Sequence, residues 1–446
     1  MTNPIKRFRG GIKPPHTKTT AEYETVKMPL PEKIVIPMLQ HIGAPCIPVV
    51  KKGERVLVGQ KIGSSDAMIS APIHSSVSGI VNNIRPMLYP GGFEVTSIEI
   101  KPDGHQEIDG SITPHLNLQK EDMLLKIKES GLVGLGGAGF PTSVKLSPPP
   151  GKVLDILVVN GAECEPYITS DYREMVENPR GILEGTQIIM ELTGIKKAFV
   201  GIEKNKPEAI KKICTLSREY KNIDVVPLPM RYPQGGEKQL IYAVTGRKVP
   251  MGRLPSDIGV LVQNVNTVAF IDEYLRTGIP LIKKKVTVDG GAVVKPMNVE
   301  VLIGTALNDV FKFCGGFKEP LCKVIMGGPM MGVSQFSLES SVIKNTNALL
   351  ALTEKEAARR KESICIRCGK CVEACPMSLM PLYINAYSLK GNIEYALKYH
   401  LNDCIECGCC SYVCPASRHL VQSIRYAKAE ARKLTNEKKE REQSGK

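Results

Sequence analysis

The sequence predicts a multidomain α+β chain with four modules in series: a β-barrel, an α/β domain, a small β-grasp-like domain and a helical, cysteine-rich block. Three observations carry this. Between 26 and 104, short Val- and Ile-rich runs (IPVV, ERVLVG, KIG, GIVNNI, FEVTSIEI) are broken by Gly and Pro, the pattern of many short strands. From 115 to 284, helical and buried-strand patterns alternate. Nine of the 14 cysteines crowd between Cys365 and Cys414. A length of 446 residues gives room for two to four domains with full cores.

In chain order, residues 1–25 read as an irregular basic arm. Residues 26–114 form the barrel module. Its phrase VKKGERVLVGQKIG…SAPIHSSVSGIV resembles lipoyl- and biotinyl-type barrels. The carrier lysine of those barrels belongs in the turn near Asp66-Ala67-Met68, where none stands, so a structural module is expected. Residues 115–284 are the α/β domain. EDMLLKIKES (121–130) reads as a helix closed by Gly131, VLDILVV (153–159) as a buried strand, 181–196 as a helix and KAFVGIE as another strand. Residues 285–340 alternate strand and turn around one short helix, as a β-grasp domain does. Residues 355–426 hold the cysteine block, with a helical pair between its two motifs, and 427–446 a basic helical tail.

The chain carries +14, and both ends contribute; Lys6, Arg7, Arg9, Lys13 and Lys18 stand in the first 18 residues without an acid. Such ends are either solvated or dock onto an acidic protein or an anionic membrane surface. Aromatics are 5% and Trp is absent, so no stacking platform for nucleic acid is in view. No apolar run reaches the roughly 18 residues of a membrane span. The N-terminus lacks the apolar segment of a secretory signal, which places the chain in the cytoplasm.

The cysteines fall in two runs. Cys365-x2-Cys368-x2-Cys371-x3-Cys375-Pro376 and Cys404-x2-Cys407-x2-Cys410-x3-Cys414-Pro415 each repeat the bacterial ferredoxin spacing for a [4Fe–4S] cluster. Three thiolates two residues apart wrap one face of a cubane, and the fourth leaves the loop before a proline. In two-cluster ferredoxins that fourth cysteine serves the other cluster. Cys365, Cys368, Cys371 and Cys414 are therefore assigned to one cluster, and Cys404, Cys407, Cys410 and Cys375 to the other. CxxC pairs also suit zinc, but two complete copies with the terminal Cys-Pro favour clusters. Cys409 is extra and reads as a bystander. With neither run lacking a ligand, the block is expected to carry single electrons.

Gly134-Leu-Gly-Gly-Ala-Gly-Phe-Pro-Thr142 matches the dinucleotide-binding spacing G-x-G-x-x-G, and Asp155 lies about 20 residues on. The order is wrong for that motif: a helix precedes the loop, Ser147-Pro148-Pro149-Pro150 follows it, and Asp155 is expected within a strand rather than at its end. The glycines still suit close approach of backbone amides to a flat or phosphorylated ligand. Phe140 is placed to cover a ring and Lys145 to meet a phosphate. Asn160 ends the following strand, and Glu163 and Glu165 come next.

GGAGFPT…K…VVNGAECEP resembles the NADH- and flavin-binding subunit of respiratory complex I, as do Tyr232-Pro-Gln-Gly-Gly-Glu237 and Gln263-Asn-Val-Asn-Thr267. The resemblance implies FMN held by Gly136, Gly137, Gly139, Lys145, Asn160, Gln263, Asn264 and Thr267. It implies NADH over the flavin near Phe140, with Glu163 and Glu165 toward the nicotinamide, and a β-grasp domain of the SLBB kind next. Leu135 departs from the arginine of that family's loop, and Cys164 from its serine. A barrel before this core, a two-cluster block after it and the opening Gly10-Gly11-Ile-Lys-Pro-Pro15 resemble most the C subunits of the Rnf complexes, the ion-translocating ferredoxin:NAD⁺ oxidoreductases. Lys13 stands where that family usually has His.

This resemblance implies a peripheral subunit on the cytoplasmic face of the membrane. It would exchange hydride between NAD(H) and FMN and pass single electrons through two [4Fe–4S] clusters. Its partners would be membrane subunits, a ferredoxin-like subunit and, directly or indirectly, ferredoxin, with no nucleic acid and with membrane association through partners. Two readings compete: a soluble flavin and iron–sulfur reductase of the corrinoid-reductase kind, and an electron-transfer adaptor without a working NADH site.

Overall fold

The computed structural model describes residues 5–116, 118–149, 151–318, 320–358 and 360–444. These form two compact units, the larger from His16–Pro229 and Pro255–Ala357.

The larger unit is centred on a four-stranded parallel sheet in the order Ile223–Leu228, Lys197–Glu203, Ile156–Gly161, Val260–Asn264. Its strands are near-continuous apolar runs because helices cover both faces. Leu157, Val159, Ala198, Val200 and Ile202 are wholly buried against Ile182, Leu183 and Ile189 of helix Pro179–Thr193 and Val265 and Val268 of helix Val265–Thr277. Three successive strands run to one side of the sheet, and the fourth returns to the other side of Ile156–Gly161. The strand order therefore reverses between Ile156–Gly161 and Val260–Asn264. Ligands bind beyond the carboxyl ends of the strands at such a reversal.

The barrel packs a sheet of Ile34–Pro37, Glu94–Pro102, Gly79–Leu88 and Arg55–Val56 with a second of Ile47–Pro48, Lys61–Ser64 and Ile73–His74. Ile34, Ile36, Val56, Ile62, Ile98 and Ile100 fill its interior. The β-grasp sheet has six strands in the order Thr25–Lys27, Met297–Leu302, Lys283–Asp289, Ala348–Leu352, Lys323–Met326, Val333–Gln335, with the short helix Leu307–Phe313 contributing to its core. Two of these strands lie outside the expected span 285–340. Thr25–Lys27 straddles the expected boundary between arm and barrel, and Ala348–Leu352 lies past the expected end of the β-grasp domain. Every residue of Ala348–Leu352 is buried, and it is the strand that joins the two halves of the sheet.

The smaller unit holds the cysteine block together with Met230–Leu254 and the arm up to Pro15. The expected helical pair is Pro381–Leu389 and Ile393–Lys398; the tail helix begins earlier than expected, at Leu420, and runs to Ser444. Met230–Leu254, expected within the α/β domain, belongs here instead. Tyr232 is buried, its Oη donates to the Cys407 carbonyl at 2.8 Å, and Gln239 Nε2 donates to the Pro376 carbonyl at 3.3 Å. The arm is not free either. Gly11 N donates to the Ala374 carbonyl at 2.9 Å. Gly10 sits at φ +73, where an added Cβ would lie 2.6 Å from the Cys375 carbonyl carbon, so this backbone approach admits only glycine.

Candidate functional site

The glycine loop begins after helix Lys120–Glu129, follows no strand, and leads into the five-residue helix Thr142–Leu146. It is not a strand–loop–helix dinucleotide motif. Asp155 precedes strand Ile156–Gly161 instead of lying within it, a correction that leaves it at the strand's amino end. Gly134 N donates to the Phe140 carbonyl at 2.8 Å, and Val133 bridges Pro141, so the loop is closed on itself. It is also tied to its surroundings. Leu135 N donates to Thr267 Oγ1 at 2.9 Å, Asn345 Nδ2 to the Gly137 carbonyl at 3.1 Å, and Ile42 N to the Gly139 carbonyl at 3.1 Å. Lys145 lies part-buried in the last turn of the short helix.

The loop faces the reversal point of the sheet. A Cβ added to Gly136 would lie 2.5 Å from Asn264 Cγ, whereas one added to Gly137 would meet nothing within 4 Å. Asn264 caps helix Val265–Thr277, its Oδ1 accepting from Asn266 N at 2.9 Å. Its Nδ2 donates to Asp171 Oδ2 at 2.7 Å, and Asn266 Nδ2 donates to Asp171 Oδ1 at 2.6 Å. On the neighbouring strand Asn160 Oδ1 accepts from Ala162 N at 3.0 Å. Gln263 is 3% exposed, and its Nε2 finds no hydrogen-bond partner among the described residues. A buried donor left this way costs about 1–3 kcal/mol unless a ligand accepts from it. An open glycine backbone packed near Asn264, with an orphaned amide donor on the preceding residue of the strand, fits a flat ligand rich in ring carbonyls and nitrogens, as FMN is.

Glu163 and Glu165 have different surroundings. Glu163 is buried; its Oε1 accepts from Asp171 N at 2.7 Å, and its Oε2 has no hydrogen bond, only Lys18 Nζ at 3.8 Å. Lys18 donates to the carbonyls of Glu163 (3.1 Å), Glu165 (2.8 Å) and Ile168, and Lys206 Nζ to the Glu163 carbonyl at 3.3 Å and to Glu203 at 2.9 Å. Burial pushes Glu163 up to about 7 and pulls Lys18 down, each partly opposing the other's shift. Lys18 is therefore an internal clamp, not one of the arm's docking charges. The Glu165 carboxylate accepts from the amides of Met330 (3.0 Å) and Met331 (2.9 Å), holding the turn after strand Lys323–Met326.

Burial pushes Glu165 up to about 7 despite those two donors. The folded chain then keeps a proton that the unfolded chain releases above its ordinary value near 4.5. The stability contributed is whole below that value and is lost as pH rises toward 7. Between about pH 5 and pH 7.5 the wild-type melting temperature is expected to fall relative to that of Glu165→Gln, which has no proton to hold; melting curves of both chains across that window check it.

In the smaller unit the two cysteine loops share one backbone. Arg367 and Glu406 both sit at φ +56, and Gly369 and Gly408 at φ +78 and +79. Among the described residues no group of three or more His, Cys, Asp or Glu side chains is arranged to hold a single metal ion. The cysteines nonetheless gather in two sets. Cys404 is pushed up to about 11 by burial and by the nearby Cys407 and Cys375. Burial raises Cys371 too, with Cys414 and Cys365 adding to the effect. Cys375, Cys404, Cys407 and Cys410, together with Cys409, line one shared pocket. The fourth cysteine of each run thus lies with the other run's set, and four thiols on an apolar lining are the donor set a cubane cluster takes. Cys409 is fully buried with Sγ 4.0 Å from the Tyr232 carbonyl. Cys365 and Cys368 are exposed, so the first set lies at the surface.

Sequence reasoning missed Asp171, Lys284, Lys344 and Asn345. Asp171 orders Asn264 and Asn266. Lys284 is buried with Nζ 3.4 Å from the Leu135 carbonyl; burial pulls it down to about 8 while Asp171 favours its charge. Lys344 donates to the carbonyls of Pro72 and Gly131 at 2.6 Å each, fixing the base of the loop. None lies in a local motif; the one usable signal was KNTN directly before an apolar strand.

Four family models match the chain in this order: the RnfC Barrel sandwich hybrid domain over 6–105, the Nuo51 FMN-binding domain over 127–273, the SLBB domain over 285–334 and the 4Fe-4S dicluster domain over 364–417. Among curated relatives, the C subunit of the proton-translocating ferredoxin:NAD(+) oxidoreductase complex of Clostridium ljungdahlii is 48% identical, the match covering 96% of this chain and 94% of the relative. The C subunit of the Na(+)-translocating ferredoxin:NAD(+) oxidoreductase complex of Acetobacterium woodii is 46% identical over 95% and 96%. The C subunit of the ion-translocating oxidoreductase complex of Rhodobacter capsulatus is 41% identical over 96% and 84%.

Proposed function

We propose that this chain, which belongs to the family of C subunits of the Rnf-type ion-translocating ferredoxin:NAD⁺ oxidoreductase complexes, is the nicotinamide-facing member of such a complex. It is an oxidoreductase subunit whose cofactors are FMN and two [4Fe–4S] clusters. FMN supplies the exchange between electron pairs carried as hydride and the single electrons that clusters accept. The observation that carries this reading is the open backbone at Gly137 in a loop packed on Asn264, with the orphaned Gln263 amide one residue earlier, on the same chain as two complete cysteine sets.

The flavin is proposed to lie against Gly136, Gly137 and Gly139, with Lys145 on its phosphate and Asn160, Gln263, Asn264 and Thr267 around it. Phe140 covers the nicotinamide and excludes water from the reacting face. Of the two carboxylates, Glu163 keeps an oxygen without a hydrogen bond and is the better placed to accept from a nicotinamide amide; Glu165 shapes the adjoining turn. The clusters are proposed on Cys365, Cys368, Cys371 and Cys414, and on Cys404, Cys407, Cys410 and Cys375.

Among the described residues no helix is long and apolar enough to cross a membrane. Ion passage is therefore assigned to membrane subunits, with this chain peripheral on the cytoplasmic face, and electrons arrive from ferredoxin directly or through a ferredoxin-like subunit. A soluble corrinoid-type reductase is disfavoured by relatives that match nearly end to end. Anaerobic NADH is expected to reduce both flavin and clusters, and Phe140→Ala to slow that reduction without emptying the flavin site. The adaptor reading predicts no NADH-driven reduction at all.

A further inference from the structure

The glycine loop is held from outside its own domain. Ile42 N of the barrel donates to the Gly139 carbonyl at 3.1 Å. Asn345 Nδ2, in the turn before strand Ala348–Leu352, donates to the Gly137 carbonyl at 3.1 Å. Its neighbour Lys344 joins the Gly131 carbonyl at the loop's base to the Pro72 carbonyl of the barrel. There the two backbones touch, since a Cβ added to Gly131 would lie 2.5 Å from the Pro72 carbonyl oxygen. The barrel also sets the turn that carries Asn345. Gln40 Oε1 accepts from Lys344 N at 3.1 Å, while Gln40 Nε2 donates to the Pro37 carbonyl at 3.3 Å. Thr346 closes that turn, its N donating to the Ile343 carbonyl at 2.9 Å and its Oγ1 accepting from Ile343 N at 3.0 Å.

These contacts have a directional consequence. In a planar trans peptide the C=O of one residue and the N–H of the next point in opposite directions. Holding the Gly137 and Gly139 carbonyls toward Asn345 and Ile42 therefore turns the amides of Ala138 and Phe140 away from them. Among the described residues neither amide donates to a protein acceptor. Residues 136–138 are exposed, and four of the six residues from Gly134 to Gly139 are glycine. Such a run has little order of its own, and a loop that is ordered only on binding spends binding energy on that ordering.

We infer that Asn345, together with Gln40 and Ile42 of the barrel, positions the glycine loop for the flavin. They fix its carbonyls toward the barrel and the turn, so that its amides are ready for a ligand acceptor before the ligand arrives. Asn345 acts through Gly137 and is a positioning residue. The barrel, which has no carrier lysine, thereby takes part in the site. This inference rests on the flavin reading above. If the contacts served only to pack three domains together, losing one would cost stability and leave flavin affinity as it was.

The test titrates the full-length, flavin-free chain with FMN by fluorescence, wild type beside Asn345→Leu, which keeps the size of the side chain and removes its donor. FMN affinity is expected to fall by about fivefold or more. The melting temperature of the flavin-free chain is expected to stay unchanged, because Asn345 is only half-buried. Asn345→Gln, which restores an amide donor, should recover the affinity. Unchanged affinity in Asn345→Leu would overturn the inference. So would a loss that Asn345→Gln does not repair, or one matched by a lower melting temperature of the flavin-free chain, since Asn345 would then be a packing residue. If Asn345→Leu does not fold, Asn345→Ala, which adds no apolar bulk, is read by the same criteria. A wild-type chain that binds no FMN would instead overturn the flavin reading.

Discussion

Gly137→Ala is expected to weaken FMN binding more than tenfold while leaving the flavin-free chain as stable as wild type. An added Cβ at 137 meets no protein atom within 4 Å, and the residue has no positive φ that a side chain would strain. Any penalty therefore comes from the ligand, and a tenfold loss is about 1.4 kcal/mol. Gly136→Ala should lose FMN as well, for another reason. Its Cβ would displace Asn264, which cannot yield cheaply because its side chain both caps a helix and binds Asp171. Flavin-fluorescence titration and melting of the flavin-free chains separate the two cases: 137 loses affinity only, 136 loses affinity and stability. Full FMN affinity in Gly137→Ala would move the flavin away from the loop.

The second large effect concerns iron. Cys375→Ser and Cys404→Ser stand in different motifs, yet each should cost the same cluster, leaving about four irons of about eight. The double variant should also keep about four, because both changes fall on one cubane. Cys375→Ser combined with Cys365→Ser should leave almost none. Iron and sulfide analysis of anaerobically reconstituted chains decides it. A loss of all iron in the 375/404 pair would mean that each motif feeds its own cluster, against the gathering of Cys375 with Cys404, Cys407 and Cys410 around one cavity.

The features legible in the sequence are those set by short spacing. The cysteine runs, the glycine loop and the helix closed by Gly131 are local, and each lies where expected. Features set by distant chain segments were not legible. Lys18 clamps carbonyls some 145 residues away, and nothing around it distinguishes it from the solvated lysines of the arm. Met230–Leu254 joins the cysteine unit through Tyr232 and Gln239, contacts invisible to periodicity. Ala348–Leu352 is five apolar residues, too short to tell strand from helix without its neighbours. At the site, the loop and Asn264 could be named in advance. The Asp171 carboxylate that orders Asn264, and the Lys284 ammonium beside Leu135, could not, because each acts through a tertiary contact rather than a motif.

The measurement closest to the central claim is an anaerobic absorbance spectrum of the reconstituted chain before and after NADH. The flavin bands and the broad iron–sulfur absorbance are both expected to fall. If dithionite bleached the clusters and FMN were present, yet NADH changed nothing, the glycine loop would not be a working nicotinamide site, and the chain would be an adaptor for electrons only.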